Sequence, residues 1–117
     1  MIKKIARSSA LDLIKQVHKV EIFASLSNIQ SKSAFELLKQ MQSTKFTEKN
    51  PKYECIYHNQ ENINESPKLK VKYSNNMEWE IDTTEYSSQR LREALFTRAH
   101  DVEVLETIAS AERPDDL

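Results

Sequence analysis

Glycine is missing from all 117 residues of this chain. Phosphate-cradling loops of the G-x-G-x-x-G and G-x-x-x-x-G-K-[ST] kinds need it at fixed positions, so neither exists here. The nucleophile elbow G-x-S-x-G is excluded on the same ground. Nucleotide-dependent enzymes thereby lose their usual signatures. Cysteine is almost as scarce. A single Cys55 rules out an internal disulfide and any CxxC redox pair. It alternates with Tyr53 and Tyr57 on one side of an expected strand, where a free thiol acts as a small buried hydrophobe. A reactive thiol would need an exposed, cationic setting. Long apolar runs are also lacking, and nothing approaches the length of a membrane span. Neither charge sign dominates: 17 basic and 18 acidic residues leave a net charge of −1, too little to recruit nucleic acid by a global field. The 38% hydrophobic and 30% charged content fits one soluble domain with a modest core.

What is present is sharpest over residues 67–95. Leu69, Val71 and Tyr73 alternate with Lys68, Lys70 and Lys72, and Met77, Trp79 and Ile81 alternate with Glu78, Glu80 and Asp82. This period of two predicts a hairpin with an apolar face and a charged face. Opposed residues of an antiparallel pair share a face. A two-residue loop would set Val71 against Glu80 and mix the faces. A three-residue loop, Ser74-Asn75-Asn76, sets Tyr73 against Met77, Val71 against Trp79 and Leu69 against Ile81. It also sets Lys72 against Glu78 and Lys70 against Glu80, making the charges a paired surface worth little to stability. Such loops end in a left-handed residue, and Asn is the best substitute for glycine. Asn76 is therefore expected at positive φ.

Elsewhere the patterns are shorter. Residues 9–17 read as a helix with Leu11, Leu13, Ile14 and Val17 on its apolar side, followed by a strand over residues 19–24. After a polar loop, Ser33-x-x-Glu36 matches a capping box opening a helix to about Thr44, with Ala34, Leu37, Leu38 and Met41 inward. Pro51 ends helical order, because the residue before proline avoids the α conformation. A second strand covers Lys52 to His58. Beyond the hairpin a helix runs from about Ser88 to Ala99, with Leu91, Ala94, Leu95 and Arg98 on one face. Asp101 either caps a further helix or lies within a continuous one.

The order α-β-α-β-β-β-α, with Pro67 just before the third strand, resembles a thioredoxin-like fold. The expectation is an α/β domain over residues 18–99, a four-stranded mixed sheet covered by helices. A basic N-terminal arm or helix over residues 1–17 and a helical extension over residues 100–117 flank it. In that fold the proline peptide is typically cis, which the resemblance carries to Ser66–Pro67. Within it, the strand KVEIFAS at 19–25, the helix start SKSAFELL at 31–38, Asn50-Pro51, Pro67-Lys68-Leu69, Tyr73, Glu78, Tyr86-Ser87 and Ala94-Leu95 resemble one family. This is the family of thioredoxin-like accessory subunits of mitochondrial complex I (NADH dehydrogenase 1 alpha subcomplex subunit 2), whose domain some mitochondrial ribosomal proteins share. Ser25 stands where complex I members often carry Cys, so no redox pair transfers. Asn28 to Gln30 and Asn75-Asn76 replace the family's usual glycines.

The resemblance implies a non-catalytic subunit without cofactor or metal, on the matrix side of the inner mitochondrial membrane. It would support assembly and stability of the peripheral arm, docking against the large iron–sulfur subunit. The alternative is a mitochondrial ribosomal protein contacting ribosomal RNA. Lys3, Lys4 and Arg7 precede the first acid, Asp12, as in a mitochondrial import signal or the basic start of an ordinary helix. With Lys15 and Lys19 they are the better candidates for an RNA or acidic-protein contact. Phe23, Phe46, Ile63 and Phe96 are the expected exposed apolar contacts, with Phe96 assigned either to a second core face or to a partner. His18, His58 and His100 lie far apart, and a metal site would need distant carboxylates to converge on them.

Overall fold

A computed structural model describes residues 7–62 and 64–111. Helix α1 (Arg7–Leu13) passes through one 3-10 turn (Ile14–Gln16) into strand β1 (Val17–Ala24). A second 3-10 turn (Ile29–Ser31) leads to α2 (Lys32–Met41), α3 (Thr44–Lys49) and β2 (Glu54–Asn59). Strands β3 (Lys68–Tyr73) and β4 (Glu78–Asp82) follow, and α4 (Ser88–Ala111) closes the described chain. The strands form one open sheet in the order β2-β1-β3-β4. β1 is parallel to β2 and antiparallel to β3, and β3 is antiparallel to β4. Parallel neighbours need a crossover, which α2 and α3 provide.

The core lies on one face of this sheet. Val20, Ile22 and Ala24 of β1 and Leu69, Val71 and Tyr73 of β3 are buried there. Ala34, Leu37 and Met41 from α2 and Leu91, Leu95, Phe96 and Ala99 from α4 join them in one cluster with Ala10, Leu13 and Ile14. A register shift between Val17 and Lys19 lets Val17 and Val20 share the core face although they are three apart. The opposite face, carrying Lys19, Glu21 and Phe23 beside Lys68, Lys70 and Lys72, stays half-exposed.

The hairpin has the register derived from its alternation. Leu69 opposes Ile81, Val71 opposes Trp79, Lys70 opposes Glu80 and Lys72 opposes Glu78. Tyr73 N–H donates to the Met77 carbonyl at 2.9 Å, and Asn76 has φ 68°.

Other expectations need correction. The first helix ends at Leu13, and Val17 belongs to β1. The amide of Asn50 donates to the carbonyls of Ile14 at 2.9 Å and Val17 at 3.0 Å, fixing that change of direction. The Ser33–Glu36 capping box is not made. Helix α2 starts at Lys32, with Ser31 two residues earlier at the cap position, and Glu36 instead accepts from the Ser88 hydroxyl at 3.0 Å. Helical order does not fade after Met41, because α3 forms and inserts Phe46 into the core. Phe46 packs 6.1 Å from Tyr53 and 5.9 Å from Phe96, ring centre to ring centre. Phe46, expected at the surface, is thus a core residue at 5% exposure, and Phe96, at 0%, takes the core side of its two readings. No cis peptide occurs among the described residues, so Ser66–Pro67 is trans, the ordinary state of X–Pro bonds. Helix α4 runs through residue 100 without a break.

Candidate functional site

The loop from Ser25 to Gln30 follows the end of β1. Its backbone is tied down at several points. Asn28 N–H donates to Ser25 O at 3.1 Å, Ser31 N–H to Asn28 O at 3.0 Å, and Gln30 N–H to the Asn28 side chain at 3.0 Å. Asn28 also donates to Glu65 O at 3.4 Å, joining this loop to the one before β3. Buried Gln60 lies at the foot of both loops, its N–H on Ala24 O and its amide on Ser66 O, each at 2.9 Å. Its Oε1 has no hydrogen-bond partner among the described residues. This bracing holds two aliphatic side chains in water: Leu26 is 83% exposed and Ile29 is 93% exposed. Bare aliphatic tips on a hydrogen-bonded loop favour contact with another apolar surface.

Other exposed apolar side chains lie after the hairpin turn and along the distal part of α4. Met77, Val104, Leu105 and Ile108 are all more than two-fifths exposed. Arg98 covers the half-buried Trp79 ring nearby, 4.6 Å from its centre.

A groove of about 690 Å³ opens among α1, the end of α2, α3 and the start of α4. Leu11 and Phe46 give it apolar walls, while Lys39, Lys45 and Arg92 outnumber Glu93 around it. Arg92 also lies 5.5 Å from the centre of the Phe96 ring.

The candidates from sequence do not converge. Lys3, Lys4 and Ile63 lie outside the described residues, and Arg7 opens α1. Phe23 stacks on His58 at 4.5 Å on the half-exposed sheet face, far from the core pair Phe46 and Phe96. There Glu21 contacts both Lys19 at 3.2 Å and His58 at 3.4 Å. Cys55 is half-buried, and burial pushes its thiol pKa upward, opposite to the shift a nucleophile needs. Among the described residues, no group of three metal-ligating side chains gathers and no helix is long and apolar enough to cross a membrane. Sequence reasoning passed over Leu26 and Ile29. Their signal was two aliphatics inside an otherwise polar loop.

No known family model matches the chain, and no curated protein matches it in sequence.

Proposed function

We propose that this chain is a non-catalytic docking subunit of a larger assembly, an accessory subunit of respiratory complex I that supports its matrix peripheral arm. The observation that carries the docking role is the braced loop that holds Leu26 and Ile29 in solvent. A loop whose backbone is already hydrogen-bonded loses less loop entropy when its aliphatic tips are buried against a partner. The choice of complex I comes from the resemblance. Two of its landmarks have structural work in this chain: Asn50 anchors the start of β1, and buried Pro67 accepts from Thr83 N–H at 3.0 Å. The element order and the central position of β1 favour the thioredoxin-like reading of the fold, whereas the trans Ser66–Pro67 bond departs from it.

The test is affinity purification of tagged chain from mitochondria. Co-purification of NADH dehydrogenase activity with the large iron–sulfur subunit is expected. The double variant Leu26→Ser, Ile29→Ser should lose it while keeping the thermal melting point. A ribosomal role is the second reading, favoured by Lys39, Lys45 and Arg92 around the groove. Co-migration with ribosomal RNA in place of dehydrogenase activity would establish that reading and defeat the first.

A further inference from the structure

Among the described residues, β4 is an edge of the sheet, paired only with β3. Its hydrogen-bond pattern follows from one contact. Tyr73 N–H donates to Met77 O, so Tyr73 and Met77 form a hydrogen-bonded pair. Such pairs alternate along an antiparallel ladder. Trp79 and Ile81 therefore also turn their backbone groups toward β3. The N–H and C=O groups of Glu78, Glu80 and Asp82 point the other way, to the free edge. Thr83 N–H on Pro67 O, at 3.0 Å, continues the same alternation.

The side chains along this edge select what can pair with it. Glu78, Glu80 and Asp82 are exposed on the wet face, while Trp79 and Ile81 are half-buried and Met77 is 57% exposed on the other. Lys70 reaches Glu78 diagonally at 3.9 Å, which leaves Glu80 without an ion pair among the described residues. Two copies joined antiparallel through β4 would set Glu80 against Glu80 and Glu78 against Asp82. Like charges directly opposed are destabilising, so the acids disfavour self-pairing, a common use of charge on edges. A strand with lysines in alternate positions meets the opposite situation. Each cation faces an acid, as β3 already shows from the inner side, and each intervening apolar residue extends the layer begun by Trp79, Ile81 and Met77.

We infer that the β4 edge is a strand-acceptor site for an extended protein segment that alternates cationic and apolar residues. This deepens the docking reading by naming the chemistry of one partner segment, and it does not depend on which assembly supplies it. Main-chain bonds from Glu78, Glu80 and Asp82 give the affinity, and the acid row gives the selection.

The experiment titrates the full chain with the synthetic peptide PKLKVKYS, which carries the alternation of β3, and with its counterpart PELEVEYS. Saturable binding of the lysine peptide is expected. Trp79, the only tryptophan, should change its emission, and backbone amide shifts should centre on Glu78, Glu80 and Asp82. The glutamate peptide should bind at least tenfold more weakly. Glu80→Pro removes an outward N–H without touching the β3 ladder and should abolish binding. If that variant does not fold, Glu80→Lys serves in its place and should weaken the lysine peptide at least tenfold. Equal affinity for both peptides, amide shifts centred on β1 and β3, or self-association of the chain through β4 would each overturn the proposal. So would an absence of binding at millimolar peptide. Failure of the parent chain to bind the lysine peptide, with intact co-purification of dehydrogenase activity, defeats this edge proposal alone. The reverse outcome defeats the complex I reading alone.

Discussion

The guanidinium carbon of Arg98 lies 4.6 Å from the centre of the Trp79 ring, joining the exposed flank of α4 to the edge strand β4. An exposed cation over tryptophan contributes about 0.5–1 kcal/mol. Arg98→Ala should cost that much in urea unfolding and shift Trp79 emission to the red as water reaches the ring. Arg98→Lys should recover part of both, because the charge remains while the planar stack is lost.

The turn at Asn76 makes a second prediction. A β-branched side chain at φ 68° meets its own backbone. Asn76→Val should destabilise the chain by about 1–2 kcal/mol. Asn76→Gly should fall within about 1 kcal/mol of the parent, since glycine reaches this region freely but adds freedom to the unfolded chain. Denaturant midpoints of the two variants check the contrast.

Asn50 donates to two carbonyls at the junction of the first 3-10 turn and β1. Asn50→Ala leaves both short of a donor and should cost about 1–3 kcal/mol. Asn50→Asp should cost more at neutral pH, because a buried carboxylate would face two carbonyl oxygens. Its deficit should shrink as the pH falls and the carboxyl gains a proton able to donate. Thermal melts of both variants across pH 4–8 would show the crossing trend.

Cys55 supplies a pH prediction. Burial raises its thiol pKa above the ordinary 9.0, and the nearby Tyr53 hydroxyl only partly opposes this. The native thiol should therefore react more slowly with a disulfide reagent at pH 8 than the thiol of the urea-unfolded chain. The sign for stability follows from the same shift. The contribution is fully present below the unfolded thiol's pKa and is lost as the pH rises through the higher folded value. Cys55→Ala should flatten that part of the alkaline stability profile.

The legibility of the fold varied with the kind of signal. The hairpin register was derivable because a one-residue slip would have mixed lysine with valine on one face, and the side-chain period tolerates no such mixing. Helix α3 was not derivable. Its single buried residue, Phe46, sets no period, and Pro51 nearby argued against helix. Phe96 read as ambiguous because it lies off the Leu91–Leu95 stripe. Packing of α1, the first 3-10 turn and Phe46 of α3 makes that second side of α4 a core face. The capping-box pattern at Ser33 misled because Glu36 has a tertiary partner in Ser88, which local sequence does not reveal. At the candidate site, Leu26 and Ile29 lay in a segment whose polar neighbours masked them. Their exposure depends on a serine and asparagine hydrogen-bond frame that becomes visible only in three dimensions.

Helix α4 has a supported half and an unsupported one. Leu91, Leu95, Ala99 and Val102 rest on the body of the protein, while Val104, Leu105 and Ile108 face water. At about 1.5 Å per residue, its last two turns extend roughly 11 Å. Beyond Val102, among the described residues, the Ser74 hydroxyl lies 3.0 Å from Glu106 Oε1 and ties the helix back to the hairpin, while the same hydroxyl is 2.7 Å from Gln16 Oε1. Short helical stretches without tertiary support are only marginally stable in water. Amide protons of the distal turns should thus act as a gauge of assembly, exchanging fast in the lone chain and slowly once a neighbour shields them.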